Sequence, residues 1–279
     1  MMRTQAVLVG LTALLVTTAP AHAWGVLGHQ IVAGIAKRNL GSAQVRAIDA
    51  LLADARIGGG DMVGAAAFAD DYRIGHPHTG PWHYVNVPLD ATEYSEDRDC
   101  HTDFQQRRVS DTPCVVAQVL AAKTRLGDAT LTSAERGLAA AMLIHFVADI
   151  HQPLHTTTRN DRGGNGVVTS WFGETTNLHA VWDVKIVERQ YGVDADPARI
   201  AEALDARVTA AERSAWCNGA SMDWANEGVA AARAVVYASV PSSPVTLSDA
   251  YHERAVPVVE QRLARAGVRL ACALRSALE

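Results

Sequence analysis

The stretch TSAERGLAAAMLIHFVADIHQPLH, residues 132–155, decides the fold. Thr132 followed three residues later by Glu135 is a capping box. The hydroxyl takes a free main-chain N–H of the first turn, and the carboxylate reaches back to the Thr132 N–H. From Leu138 to Val147 every side chain but His145 is apolar. A helix that is apolar all round has no solvent face and belongs inside a core. Pro153 ends it, because proline lacks the N–H that a further turn needs. His145 and Asp149 are left inside this apolar run, i,i+4 on one face. Burying them without a partner would be costly.

Outward from this helix the pattern stays helical. Gly28 to Leu40 carries apolar residues at Ile31, Ile35 and Leu40 and stops at Gly41, a usual helix terminator. Ser42 can cap a second helix running to about Asp54. Gly58-Gly59-Gly60 breaks the chain, and Asp61 can cap a short alanine-rich helix ending near Arg73. Residues 75–112 read as a long irregular excursion, with Trp82 to Val87 extended. Pro113 opens a helix to Leu126. Residues 156–175, with Gly163-Gly164, form a second long loop. Thr176 or Asn177 caps the next helix, which Gly192 ends. Three amphipathic helices follow, roughly 196–209, 212–239 and 248–276, the last containing a potential kink at Pro257. The expectation is an all-α fold, one compact multi-helix domain with long irregular loops. Loops of that length in a compact domain are usually functional.

Composition narrows the class. The chain has 279 residues and is 48% hydrophobic, enough for a full core. Lys plus Arg number 25 against 30 Asp plus Glu, a formal charge of −5. That excludes gripping a polyanion by bulk positive charge. The 11 histidines against 4 cysteines point instead to a metal protein, provided the histidines fall at ligand spacing.

Residues 1–23 read as a signal peptide. Arg3 starts it, Ala6 to Val16 is its apolar run, and Ala21-His22-Ala23 is a small-x-small cleavage site. The run is too short to span a bilayer. The expected product is a single domain, residues 24–279, secreted or periplasmic, without a membrane span and monomeric. Export permits disulfides. Proximity in sequence favours Cys100–Cys114 and Cys217–Cys272.

The chemistry concentrates in two segments. The first holds His145, Asp149 and, after Pro153, His155. The second is His179-Ala180-Val181-Trp182-Asp183, another i,i+4 histidine–aspartate pair. One such pair is ordinarily a surface hydrogen bond. Two, plus His155, are how helical proteins build a metal site. Imidazole and carboxylate without thiolate suit catalytic zinc better than structural zinc. Further upstream, a Trp24 amine and carbonyl with His29 one turn on would chelate an ion if the chain begins at Trp24. Asp70-Asp71-Tyr72-Arg73 and Trp82-His83-Tyr84 offer an acid, a base, a cation and aromatic rings.

Trp24-Gly25 with His29, Phe68-Ala69-Asp70 with Arg73, Trp82-His83-Tyr84, the 145–155 segment, Gly163-Gly164-Asn165, and Asn177-Leu178-His179 with Trp182-Asp183 occur in that order. The ordered set resembles the S1/P1 nuclease family, the tri-zinc single-strand-specific nucleases, and covers Trp24 to Asp183. The resemblance implies the helical fold shared with zinc phospholipase C, and three zinc ions per chain. Asp70, His83, His145 and Asp149 would hold one ion. His155, His179 and Asp183 would hold the second. Trp24, His29 and Asp149 would hold the third, so Asp149 bridges two ions. His151 is not a ligand in that family and reads as a residue that supports a ligand from behind or packs.

The same resemblance implies an endonuclease acting on single-stranded DNA and RNA, and on nucleotides as a 3′-nucleotidase. Zinc-activated hydroxide would attack phosphorus, and P–O3′ cleavage would leave 5′-phosphate products. Asp70, Asp149 and Arg73 would be the catalytic residues, Arg73 bracing the transition-state charge. Tyr84 would stack on a base, which gives single-strand preference without sequence reading. Asn86 and Asn165 would touch the base edge. Phe68 departs from the family's usual Trp, and the loop 156–165, with Arg159 and Arg162, has its own length and charge.

Two other functions compete. A zinc-dependent phospholipase C shares the fold and the N-terminal Trp ligation. Its last ligand pair ends in Glu, however, and its first His lies further from the Trp than the five residues separating Trp24 from His29 here. A non-enzymatic periplasmic metal-binding protein leaves Arg73 and the stacking set without a purpose.

Overall fold

A computed structural model describes residues 24–100 and 114–279. The expected signal peptide and Pro113 lie outside the described residues. Helices α1 (Val26–Arg38), α2 (Ser42–Asp54), α3 (Phe68–Gly75), α4 (Val115–Gly127) and α5 (Ser133–Asp149) come first. They are followed by α6 (Leu178–Ala180), α7 (Ile186–Tyr191), α8 (Pro197–Asp205), α9 (Ala210–Trp216), α10 (Ser221–Ala231) and α11 (Asp249–Leu278). The fold is mostly α, as expected.

The 132–155 stretch occupies the centre. The capping box forms: Thr132 Oγ1 accepts from the Glu135 N–H at 3.3 Å, and Glu135 Oε2 accepts from the Thr132 N–H at 2.9 Å. Every residue from Ala139 to Asp149 is buried. Helix α5 packs against α4, α2 and α11, while α1 lies between α8 and α11. Each large apolar side chain buried here contributes about 1.5–3 kcal/mol, so Leu143→Ala would cost about 2–5 kcal/mol. Gly137 permits the closest of these approaches. A Cβ there would sit 2.0 Å from the Leu51 carbonyl oxygen of α2.

Several local expectations are corrected. Ser42 is the first helical residue; the cap is Gly41, whose N–H donates to Gln44 Oε1 at 2.9 Å. Asp61 caps turns rather than a helix. Its Oδ2 accepts from Val63 and Gly64 N–H groups, a local bonding that competes with helix formation, and α3 begins only at Phe68. Trp82 and His83 lie in a 3₁₀ segment, Pro77–His83, seeded by a proline at its first position. Extended backbone starts at Tyr84. The 212–239 helix divides, because Gly219 takes a left-handed φ of 91° between α9 and α10. Pro257 sits inside a continuous α11.

The 156–175 loop also contains strands. β1 (Val87–Pro88) pairs in parallel with β2 (Thr157–Thr158), Val87 facing Thr157. β3 (Val168–Trp171) and β4 (Glu174–Asn177) form an antiparallel hairpin, and β5 (Val245–Leu247) runs parallel to β3. Both disulfides form as expected, Cys100–Cys114 and Cys217–Cys272. No helix among the described residues is long and apolar enough to cross a membrane.

Candidate metal centre

Helices α1, α3 and α5 and three short segments each deliver polar side chains to one buried region. His29 comes from α1, Asp70 from α3, and His83 from the end of the 3₁₀ segment. His145 and Asp149 come from the last turns of α5, and His155 from the turn Pro153–His155. His179 lies in α6. Asp183 lies in the π-helical turn Val181–Lys185 that continues it; such turns recur at functional sites. All eight are buried. They fall into three groups able to hold an ion: His29/His145/Asp149, Asp70/His83/His145 and His155/His179/Asp183.

His145 belongs to two of the groups, and the neighbouring carboxylate of Asp149 reaches residues of both. Asp149 Oδ1 lies 3.4 Å from His29 Nε2, and its Oδ2 lies 2.9 Å from His83 Nδ1 and 3.2 Å from His145 Nε2. His145 Nε2 is also 3.8 Å from Asp70 Oδ2. In the third group His179 Nε2 is 3.1 Å from Asp183 Oδ2 and 3.2 Å from His155 Nε2.

The main chain sets the tautomers. His145 Nδ1 donates to the Ala66 carbonyl at 2.9 Å, His155 Nδ1 to the His83 carbonyl at 2.7 Å, and His179 Nδ1 to the Gly163 carbonyl at 2.6 Å. Each bond leaves the Nε2 lone pair aimed into its group, the arrangement that orients metal-ligating imidazoles. Gly163 is required for its part. Its φ is +58°, and a Cβ would lie 2.5 Å from the Leu154 carbonyl oxygen. Gln152 Nε2 donates to Asp183 Oδ1, and Gln152 Oε1 accepts from the Leu154 N–H at 2.5 Å.

Burial and neighbouring charges push these groups in opposite directions. Burial pushes His29 and His179 down to about 3, so both rings are neutral. Burial likewise lowers His83 and His155. At His145 the carboxylates of Asp149 and Asp70 outweigh burial and hold the ring up at about 9. Asp149, despite its burial, is held well below the usual range by His145 and His83. Asp183 is pushed well above it by burial and by Asp149 and Asp70. Both nitrogens of His29, Asp149 Oδ1 and Asp183 Oδ2 are buried without a hydrogen-bond partner. Unsatisfied buried atoms of this kind are costly. Five imidazoles and three carboxylates with no thiolate form a donor set suited to divalent cations.

The other expected residues take varied places. Arg73, half-buried on α3, brings Nη2 to 3.5 Å from Asp70 Oδ1. Tyr84 and Asn86 follow His83 along the chain and are buried. Asn165 sits beyond the two glycines, its Nδ2 donating to the Arg162 carbonyl at 2.9 Å. Trp24 is wholly buried. His151 packs as expected, donating to the Val147 carbonyl and accepting from Arg269 Nη1 at 3.0 Å.

Sequence reasoning missed Arg262. It donates to the His151 carbonyl at 2.8 Å and the Ile150 carbonyl at 3.3 Å, closing the chain end of α5. Glu227 binds Arg262, Arg265 and Arg269 at 2.7–3.0 Å. Arginines spaced four and three residues apart on one helix were the available signal.

Helices enclosing three histidine–aspartate groups of this kind define a metal-binding class. The S1/P1 Nuclease family model matches residues 24–279, and the chain belongs to that family. It is 31% identical to Endonuclease 2 of Arabidopsis thaliana, over 95% of this chain and 94% of that protein. It is 32% identical to Endonuclease 4 of the same plant, over 91% and 89% of the two chains. Against Nuclease S1 of Aspergillus oryzae it is 27% identical, over 90% of each.

Proposed function

We propose that this chain is a secreted zinc-dependent endonuclease that hydrolyses single-stranded DNA and RNA at P–O3′, leaving 5′-phosphates, with 3′-nucleotidase activity as well. The observation that carries the reading is the division of Asp149, with one oxygen toward His29 and the other toward His83 and His145. A carboxylate so placed would serve two ions at once. Asp70, His83, His145 and Asp149 hold one zinc, and His155, His179 and Asp183 a second. The Trp24 amine and carbonyl, His29 and Asp149 hold the third. Bound zinc supplies Lewis acidity and brings the pKa of water to about 7.

The chain's own groups do the rest. Asp70 Oδ1 keeps the Arg73 guanidinium at the edge of the metal groups, where it meets charge developing on the phosphoryl oxygens. Tyr84, Asn86 and Asn165 receive the base beside the scissile phosphate. The nucleic acid's charge is met locally at the metal groups, so the acidic total of −5 is no obstacle.

The test is an assay of purified protein beginning at Trp24 on single-stranded DNA, RNA and phosphatidylcholine, with and without chelator. Chelator-sensitive cleavage of both nucleic acids to 5′-phosphate products is expected. Cleavage of phosphatidylcholine alone would replace this reading with a phospholipase.

A further inference from the structure

A row of aromatic rings runs along α3 and the 3₁₀ segment, and the proposed mechanism uses none of it. Phe68 and Tyr72 rings are 5.7 Å apart. Tyr72 and His76 stack at 3.8 Å with their planes 4° apart. His76 meets His78 edge-on at 6.1 Å, and His78 meets Trp82 edge-on at 5.8 Å. Phe68, Tyr72 and Trp82 are half-buried and packed on the core, whereas His76 and His78 are exposed at the crest.

The row is bracketed by the metal groups. It begins two residues before Asp70 and ends one residue before His83. At 100° per residue around α3, Arg73 falls between the ring-bearing face and Asp70. The rings, the guanidinium and the carboxylate thus follow one another around a single short helix. A purely structural purpose accounts for part of this. His76 Nδ1 lies 3.0 Å from the Tyr72 carbonyl and closes the end of α3. It does not account for His78, whose ring is exposed.

We infer that this row is a stacking rail for unpaired bases flanking the scissile phosphate. The inference rests on the nuclease reading above. Unpaired bases expose π-faces, and an exposed ring face such as that of His76 or His78 can receive one without regard to sequence. A duplex hides those faces. A rail that starts at the metal groups therefore lengthens the contact with single strands and adds nothing for a dinucleotide.

The test compares KM for a single-stranded oligonucleotide of about a dozen nucleotides with KM for a dinucleotide, using the zinc-loaded protein. The His76→Ala/His78→Ala double variant removes two exposed rings without touching the metal groups. Its KM for the oligonucleotide should rise about tenfold, with kcat and the dinucleotide KM unchanged. His76→Phe/His78→Phe keeps the rings and should restore the oligonucleotide KM. An oligonucleotide KM unchanged by the alanines overturns the rail. So does an equal rise for both substrates, which would mean a disturbed Arg73. A phenylalanine variant no better than the alanine one overturns stacking as its basis. If the wild type cuts neither substrate, the nuclease reading falls and the rail with it.

Discussion

Trp24 donates its indole N–H to the main-chain carbonyl of Ala148 at 2.9 Å, and its ring is wholly buried. Ala148 precedes Asp149, so this one bond sets where Trp24 lies relative to the carboxylate that reaches both His29 and His83. Anchored there, the Trp24 amine would be free to bind an ion only if no residue precedes it. Protein bearing one extra residue before Trp24 should bind one zinc fewer per chain and lose most of its turnover. Metal analysis of both forms decides this, and equal zinc content would remove the terminus from the site.

Arg73→Ala should leave zinc content intact and lower kcat by about 10²–10³-fold, the usual effect of losing a donor aimed at transition-state charge. Arg73→Lys should recover little, because a point charge cannot reproduce the planar fork. Steady-state kinetics beside metal analysis separates the two roles. Unchanged turnover in the alanine variant would exclude Arg73 from the chemistry.

Removing metal should destabilise the whole domain. Asp70, Asp149 and Asp183 are buried together, and a ligand at a thousandfold excess over its Kd adds about 4 kcal/mol. In a chain of this size each kcal/mol is about 2–4 °C of Tm. Chelation should therefore lower Tm by about 10 °C, and zinc should restore it. A melting curve indifferent to chelator would contradict the metal assignment.

Glu227 supplies the counter-charge for Arg262, Arg265 and Arg269. Burial would raise its carboxyl, but the three guanidinium groups, Arg269 foremost, hold it at about 2 against an ordinary 4.5. A depressed carboxyl stabilises the fold fully above its unfolded value and loses that contribution as pH falls toward its folded one. Glu227→Gln should therefore cost about 3 kcal/mol at neutral pH, and the deficit should shrink between 4.5 and about 2. Denaturant melts of wild type and variant across that window test it; a deficit that does not change with pH would falsify the linkage.

Helix α5 and the metal groups were legible because their signals are local. A capping box, an unbroken apolar run, i,i+4 histidine–aspartate pairs and a terminating proline all lie within a few turns. What escaped was held by distant partners. Strand β3 is four residues long, and its Trp171 pairs with Leu247, which no short-range alternation announces. Gln152 carries no local signal, since its partner Asp183 is 31 residues away in sequence. Arg262 and Arg269 lie in the expected amphipathic helix 248–276, whose pattern alone does not mark them as buried. They are buried because Glu227 and the carbonyls ending α5 receive them. Asp61 misled for the opposite reason, since its local bonds satisfy turns as readily as a helix.

The bond from His155 to the His83 carbonyl has a wider consequence. His155 belongs to one group and His83 to another, and Val87 facing Thr157 ties the same two segments again a few residues on. An imidazole serving one ion is hung from the backbone that presents another. Disturbance at either is felt at both, so the three positions interlock like stones in an arch. Metal uptake by such a framework should therefore be cooperative, with half-filled molecules scarce in a zinc titration.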